Sequence, residues 1–156
     1  MSYSYDEQMF RQIIMDHYKT PRFKGLVEKT GFVTVHLKNP SCGDDMQVQT
    51  HVENGVITEV HHDGSGCSIC CASASMMAQL VNGETVEKAQ MKKQAFYDMV
   101  SGQGIDEELL DEAISLQGVA KLPPRIKCAT LGWKAFEQTI SQEQVEQDEG
   151  VTVVAK

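Results

Sequence analysis

The stretch MQVQTHVENGVITEVHHD, residues 46–63, constrains the fold of this chain most. Met46, Val48, Thr50 and Val52 alternate with polar neighbours, the period of a strand with one buried face. Asn54-Gly55 then supplies the residue pair that accepts the backbone of a tight hairpin turn, and VITEVHHD (56–63) runs away from it. The β-branched and aromatic segment FVTVHLK (32–38) lies close enough upstream to add a third strand. The expectation is an antiparallel meander with one buried face and one wetter face.

Helical patterns flank these strands. Ser4 and Glu7 have the spacing of a capping box, and Met9, Phe10, Ile13, Ile14, His17 and Tyr18 share one face up to Thr20-Pro21. On that face His17 reads as a packed histidine and not a ligand. Helical periodicity resumes from about Cys71 to Asn82-Gly83, over 85–100 and over 106–115. Pro123-Pro124 opens a last helix with Ile126, Ala129, Trp133, Phe136 and Ile140 on one stripe, a core pattern. The fold class is α+β: a small three-stranded antiparallel sheet covered by helices on one face. Residues 1–141 read as a single domain, and the acidic stretch 142–156 as a frayed tail.

The 156 residues suffice for a core without disulfide support, and the five cysteines make an odd count. A polar N-terminus and the lack of a long apolar run lead us to expect a cytoplasmic protein without a membrane anchor. A formal net charge of -8 argues against nucleic acid and anionic membranes as partners.

In a reducing compartment the thiols are metal ligands, nucleophiles or inert packing groups. Cys42 and Asp44 flank Gly43 in NPSCGD (39–44), and in extended backbone positions i and i+2 point the same way. Cys67 follows Gly64-Ser65-Gly66 at a helix start, where N–H groups favour a thiolate. Cys128 lies early in the last helix beside Arg125 and Lys127. If these converge, three thiolates and a carboxylate form a donor set suited to Zn²⁺, with a nearby cation offsetting the surplus negative charge. Ordinary buried cysteines are the alternative, as is a dithiol redox pair at Cys67-Ser-Ile-Cys70. His61 and His62, closing the third strand on opposite faces, read as solvent-exposed.

NPSCGD, GSGCSI with ASASMM, and LPPRIKCATLGWKA, together with the opening FRQIIMDHYKTPRFKG, resemble the NifU-like iron–sulfur cluster assembly family, in particular its SufU branch. The resemblance runs in order from about residue 5 to 140. It implies a metal site at one end of the sheet with Cys42, Asp44, Cys67 and Cys128 as ligands. The classical scaffold branch, IscU, carries a His before its third cysteine where this chain has Lys127, and it lacks the extra segment SGQGIDEELLDEAIS. Both differences point to a zinc-dependent sulfur carrier over a scaffold for a [2Fe–2S] cluster, the alternative function, in which iron or the cluster would occupy the same thiolates. Cys70 and Cys71 stand where the family has small polar residues and read as packing groups.

A zinc-held thiolate is correctly ionised but muted by the metal bond, so it must be released to act. The resemblance implies a cysteine desulfurase, a pyridoxal-phosphate enzyme, as the partner whose His takes one coordination position. Downstream iron–sulfur assembly proteins would receive the sulfur. Cys42, on its Gly-flanked loop, is the expected acceptor, with Arg125 stabilising the released sulfur or its persulfide.

Overall fold

The computed structural model describes residues 7–145 and 152–155. Helix α1 (Glu7–Lys19) precedes three strands, β1 (Val33–Asn39), β2 (Asp44–Glu53) and β3 (Val56–Ser65). Helices α2 (Ser68–Val81), α3 (Val86–Val100) and the single turn α4 (Glu107–Leu110) follow, then a 3₁₀ stretch, Asp111–Lys121. The long helix α5 (Pro123–Val145) and a short strand β4 (Thr152–Ala155) complete the order. Ser4, half of the expected capping box, lies outside the described residues.

The hairpin forms where its turn chemistry placed it. Asn54 and Gly55 take φ of 54° and 76°, and β2 and β3 pair antiparallel on either side. A register shift between His51 and Val52 marks a local irregularity just before the turn. β1 pairs antiparallel with β2, matching Val35 with Val48, Leu37 with Met46 and Asn39 with Asp44. These residues are all buried, so one row runs from the apolar core to two polar side chains at its end. Core formation therefore sets the register that brings Asn39 and Asp44 together.

α5 packs on β1 and β2, and α2 packs on β3 and α5. Of the expected stripe, Ala129, Trp133, Phe136 and Ile140 are buried and Ile126 is half-buried at its start, with Trp133 stacked on Phe96 at 5.2 Å between ring centroids. Gly132 lets α2 and α5 approach closely, since an added Cβ would stand 3.3 Å from the Ala74 Cβ. Nearby, the Ser73 hydroxyl donates to the Ala129 carbonyl at 2.5 Å.

Several expectations need adjustment. α2 begins at Ser68, earlier than Cys71, because Cys67 itself caps it. The helical pattern at 106–115 becomes one α-turn followed by 3₁₀ structure. The meander carries an added fourth strand: Thr152–Ala155 pairs parallel with β1, giving the order β3-β2-β1-β4. Of the stretch 142–156 read as a frayed tail, residues 142–145 continue α5 and Thr152–Ala155 form β4; 146–151 and 156 lie outside the described residues. No described helix is long and apolar enough to cross a membrane.

His17 is fully buried and bonded at both ring nitrogens. Nε2 lies 2.8 Å from Glu112 Oε1 and Nδ1 lies 2.8 Å from the Ser75 hydroxyl oxygen. The Arg22 main-chain N–H donates to the same Ser75 oxygen at 2.8 Å. One histidine thus ties α1 to α2 and to the 3₁₀ stretch.

Candidate metal centre

The buried row of β1 and β2 ends in a polar corner. The Asp44 carboxylate is held at both oxygens: the Cys67 main-chain N–H donates to Oδ1 at 3.1 Å, and Asn39 Nδ2 donates to Oδ2 at 3.3 Å. Gly66 leaves room for this, since a Cβ there would stand 2.5 Å from Asp44 Oδ1.

Between Asn39 and Asp44 the chain turns. The Asn39 carbonyl accepts the N–H groups of Cys42 (3.2 Å) and Gly43 (2.9 Å), and Gly43 takes a φ of 74°. Such a backbone favours glycine. The turn presents Cys42 at the surface, while Asp44 is buried.

Ligand atoms of Cys42, Asp44 and Cys128 lie within 4.8 Å of one another. Cys128 is brought there by the first turns of α5, where its thiol is buried. Burial pushes that thiol well above its ordinary range, and hydrogen bonds with Asp44, Cys42 and Cys67 add to the shift. Cys67 stands beside the trio, with its thiol in contact with Cys128 and its N–H on Asp44. Its sulfur also caps α2, accepting the Cys70 N–H at 3.5 Å.

Arg125 is exposed on the first turn of α5 and directs its guanidinium foremost at the Cys128 sulfur. That bond, with the electrostatic pull of Cys67, Cys128 and Cys42, raises its already high pKa. The arginine expected to serve Cys42 therefore lies against Cys128, with Cys42 in weaker electrostatic reach.

The other thiols are placed differently. Cys70 is fully buried in the core, and burial drives its thiol far above the usual cysteine range. A buried neutral thiol is a poor nucleophile, which disfavours the Cys67/Cys70 dithiol. Cys71 is half-buried, raised by burial, and directed at the Gly66 carbonyl at 3.7 Å.

The exposed reading of His62 is corrected: it is buried, and Nε2–H donates to the Arg22 carbonyl at 2.8 Å. The segment after α1 covers that side of β3 through the bridge Lys24–His62. His61 is not exposed either: its ring lies half-buried beside Phe32, 5.9 Å between centroids, and pairs with Glu59 at 2.9 Å. Asn39 was read only as a turn former. Its place in the alternation Val33, Val35, Leu37, Asn39 was the available signal that its amide faces inward.

Cys42, Asp44 and Cys128 offer three donors of the kind that Zn²⁺ takes; Cys67, the fourth expected ligand, falls outside that 4.8 Å group but its thiol contacts Cys128. The residues fit such an ion. Fold and corner together define the class: an α+β protein that presents a thiol–carboxylate cluster at the end of its sheet.

The comparisons make this specific. Residues 9–148 match the NifU-like N terminal domain, and the chain belongs to that family. It is 41% identical over 139 residues to the "Zinc-dependent sulfurtransferase SufU" of Bacillus subtilis, covering 88% of this chain and 93% of that protein. It is 36% identical over 143 residues to the "Iron-sulfur cluster assembly scaffold protein IscU" of Streptococcus pyogenes, covering 91% and 89%. The crystal structure of a "Putative iron-sulfur cluster assembly scaffold protein for SUF system" from Fervidobacterium islandicum superposes with a TM-score of 0.75 at 31% identity, covering 83% of this chain and 94% of that one.

Proposed function

We propose that this protein is a zinc-dependent sulfur acceptor and carrier in iron–sulfur cluster assembly, charged in the cytoplasm by a cysteine desulfurase. The convergence of Cys42, Asp44 and Cys128 within 4.8 Å carries the reading, with the similarity to a zinc-dependent sulfurtransferase beside it. Cys42, Asp44, Cys67 and Cys128 would hold the ion, which when bound supplies thiols already stripped of their protons.

The chain's own residues then divide the work. Cys42, exposed on its turn, is the sulfur a partner can reach. Its thiolate attacks the outer sulfur of a persulfide on the donor's cysteine. A bond forms between Cys42 Sγ and that sulfur, the donor's S–S bond breaks, and the donor cysteine leaves as a thiolate. No external oxidant or reductant is needed. Buried Cys128 and Asp44 stay in the corner, held by α5 and by the end of the sheet.

The similarity to an IscU scaffold supports a second reading, assembly of a [2Fe–2S] cluster on the same thiolates. Elemental analysis of freshly purified protein, followed by incubation with a desulfurase and cysteine, separates the two. A colourless sample with one zinc per chain that gains a sulfur on Cys42 supports the carrier. A brown sample containing iron and sulfide supports the scaffold.

A further inference from the structure

Three sulfurs surround this corner, and their hydrogen-bonding is unequal. Cys67 Sγ accepts the Cys70 N–H at 3.5 Å. Cys128 Sγ faces Asn39 Nδ2 at 3.9 Å and the Arg125 guanidinium. Among the described residues, no N–H group hydrogen-bonds the Cys42 sulfur.

Asn39 is built into the corner. Its side chain is buried, and its Oδ1 accepts the Ser41 hydroxyl at 2.8 Å. That bond fixes the amide's orientation, because the reverse flip would set a carbonyl oxygen against the Asp44 carboxylate. Nδ2 is thereby turned to Asp44 Oδ2 and Cys128 Sγ together. The Asn39 main-chain carbonyl meanwhile anchors the turn that carries Cys42. One residue thus contacts two donor groups through its amide and positions a third through its backbone.

Resting on the metal-held acceptor reading above, we propose that Asn39 is the positioning residue of the centre. Its amide orients Asp44 and quiets the Cys128 sulfur, leaving Cys42 as the electron-rich sulfur that reacts. An N–H directed at a thiolate withdraws electron density and lowers its nucleophilicity, as groups around metal ligands commonly do. Three similar thiolates become unequal, and the sulfur without an N–H donor is also the one at the surface.

The test compares wild type with Asn39→Leu, which keeps the bulk without the donor, using Co²⁺ as a spectroscopic probe and Zn²⁺ in a chelator competition. Asn39→Asp, which keeps the shape and sets an oxygen against Asp44, serves if Asn39→Leu does not fold. Circular dichroism of each metal-free variant checks the fold. The expected result is a thiolate-to-cobalt charge-transfer band at lower energy than in wild type, with Zn²⁺ affinity about 10–100-fold weaker. In the zinc-loaded variant, alkylation mapped by peptide mass spectrometry should shift from Cys42 toward Cys128. A merely structural role would leave the band in place. Wild-type band energy, Zn²⁺ affinity and labelling ratio in a folded, metal-loaded variant would overturn the role of Asn39 while the metal reading stands. Wild-type protein that binds neither ion stoichiometrically would overturn both.

Discussion

The main-chain N–H of Cys67 is hydrogen-bonded to Asp44 Oδ1 at 3.1 Å across 23 residues of sequence. The bond couples the approach to α2 to the end of β2, so the carboxylate's position depends on the backbone just before Cys67. Gly66→Ala tests this dependence. The new Cβ would stand 2.5 Å from Asp44 Oδ1 and 3.2 Å from Asp44 Cα, so the carboxylate or the backbone must move. We expect roughly tenfold weaker Zn²⁺ binding, read by chelator competition.

Metal removal tests whether the ion is also a staple. Its ligands would come from the turn before β2, the start of β2, the cap of α2 and the first turns of α5, so one ion would tie four separate positions of the chain together. Structural zinc contributes on the order of 10 kcal/mol in small domains. Dialysis against a chelator should lower Tm by more than about 10 °C, restored by stoichiometric Zn²⁺. An unchanged melting curve would contradict the proposed ligand set.

Exposure separates the roles of Cys42 and Cys128. Cys42→Ala should abolish sulfur acceptance while the protein stays folded and keeps weakened Zn²⁺ binding. Cys128→Ala should cost both metal and stability, because it also empties a buried position. Intact-protein mass spectrometry after incubation with desulfurase and cysteine, with a metal assay, distinguishes them. Normal sulfur uptake by Cys42→Ala would remove it as the acceptor.

His62 gives the fold a pH dependence of definite sign. Burial disfavours its charged form and lowers its pKa from the ordinary 6.5, although the bond to the Arg22 carbonyl opposes the shift. Between the lowered folded value and 6.5, the unfolded chain binds a proton that the folded chain refuses. This group's contribution to stability is therefore present above about 6.5 and is lost as the pH falls toward the folded value. His62→Gln, which retains a donor for Arg22, should flatten this part of the stability–pH curve relative to wild type at equal metal loading.

At His17 the two partners should matter unequally. The imidazole is fully buried, whereas the Glu112 side chain is 41% exposed. His17→Ala leaves a cavity and takes the imidazole partner from Ser75, a loss of about 2–4 kcal/mol. Glu112→Gln should cost less than about 1 kcal/mol. Urea unfolding of both variants checks the ratio.

The sequence made the hairpin legible because Asn54-Gly55 is a local signal that tertiary packing did not override. The stripe of α5 was equally plain, since Trp133 and Phe136 repeat at helical spacing. The 3₁₀ stretch was hidden because its burial pattern resembles that of an α-turn, and β4 because four residues carry too little pattern beside an acidic run. Within the corner, Cys42 and Asp44 do converge, but through a turn with Gly43 at a φ of 74° and not through the extended backbone their spacing suggested. The approach of Cys128 depended on how α5 crosses the sheet, which the family motifs implied and periodicity did not. Asn39 and Arg125 were readable as residue types, but their aim at Cys128 comes from strand register and from the first turn of α5.

The β3 margin of the sheet is covered by the chain itself, and β4 extends the opposite side. Thr152–Ala155 runs along β1, while main-chain groups of Phe23, Gly25, Gly83, Glu84 and Val86 bond along the far side of β3 or its turn. Strand addition by another molecule, a common route to both recognition and aggregation, finds little open backbone along β3. A visitor on that side must therefore engage side chains.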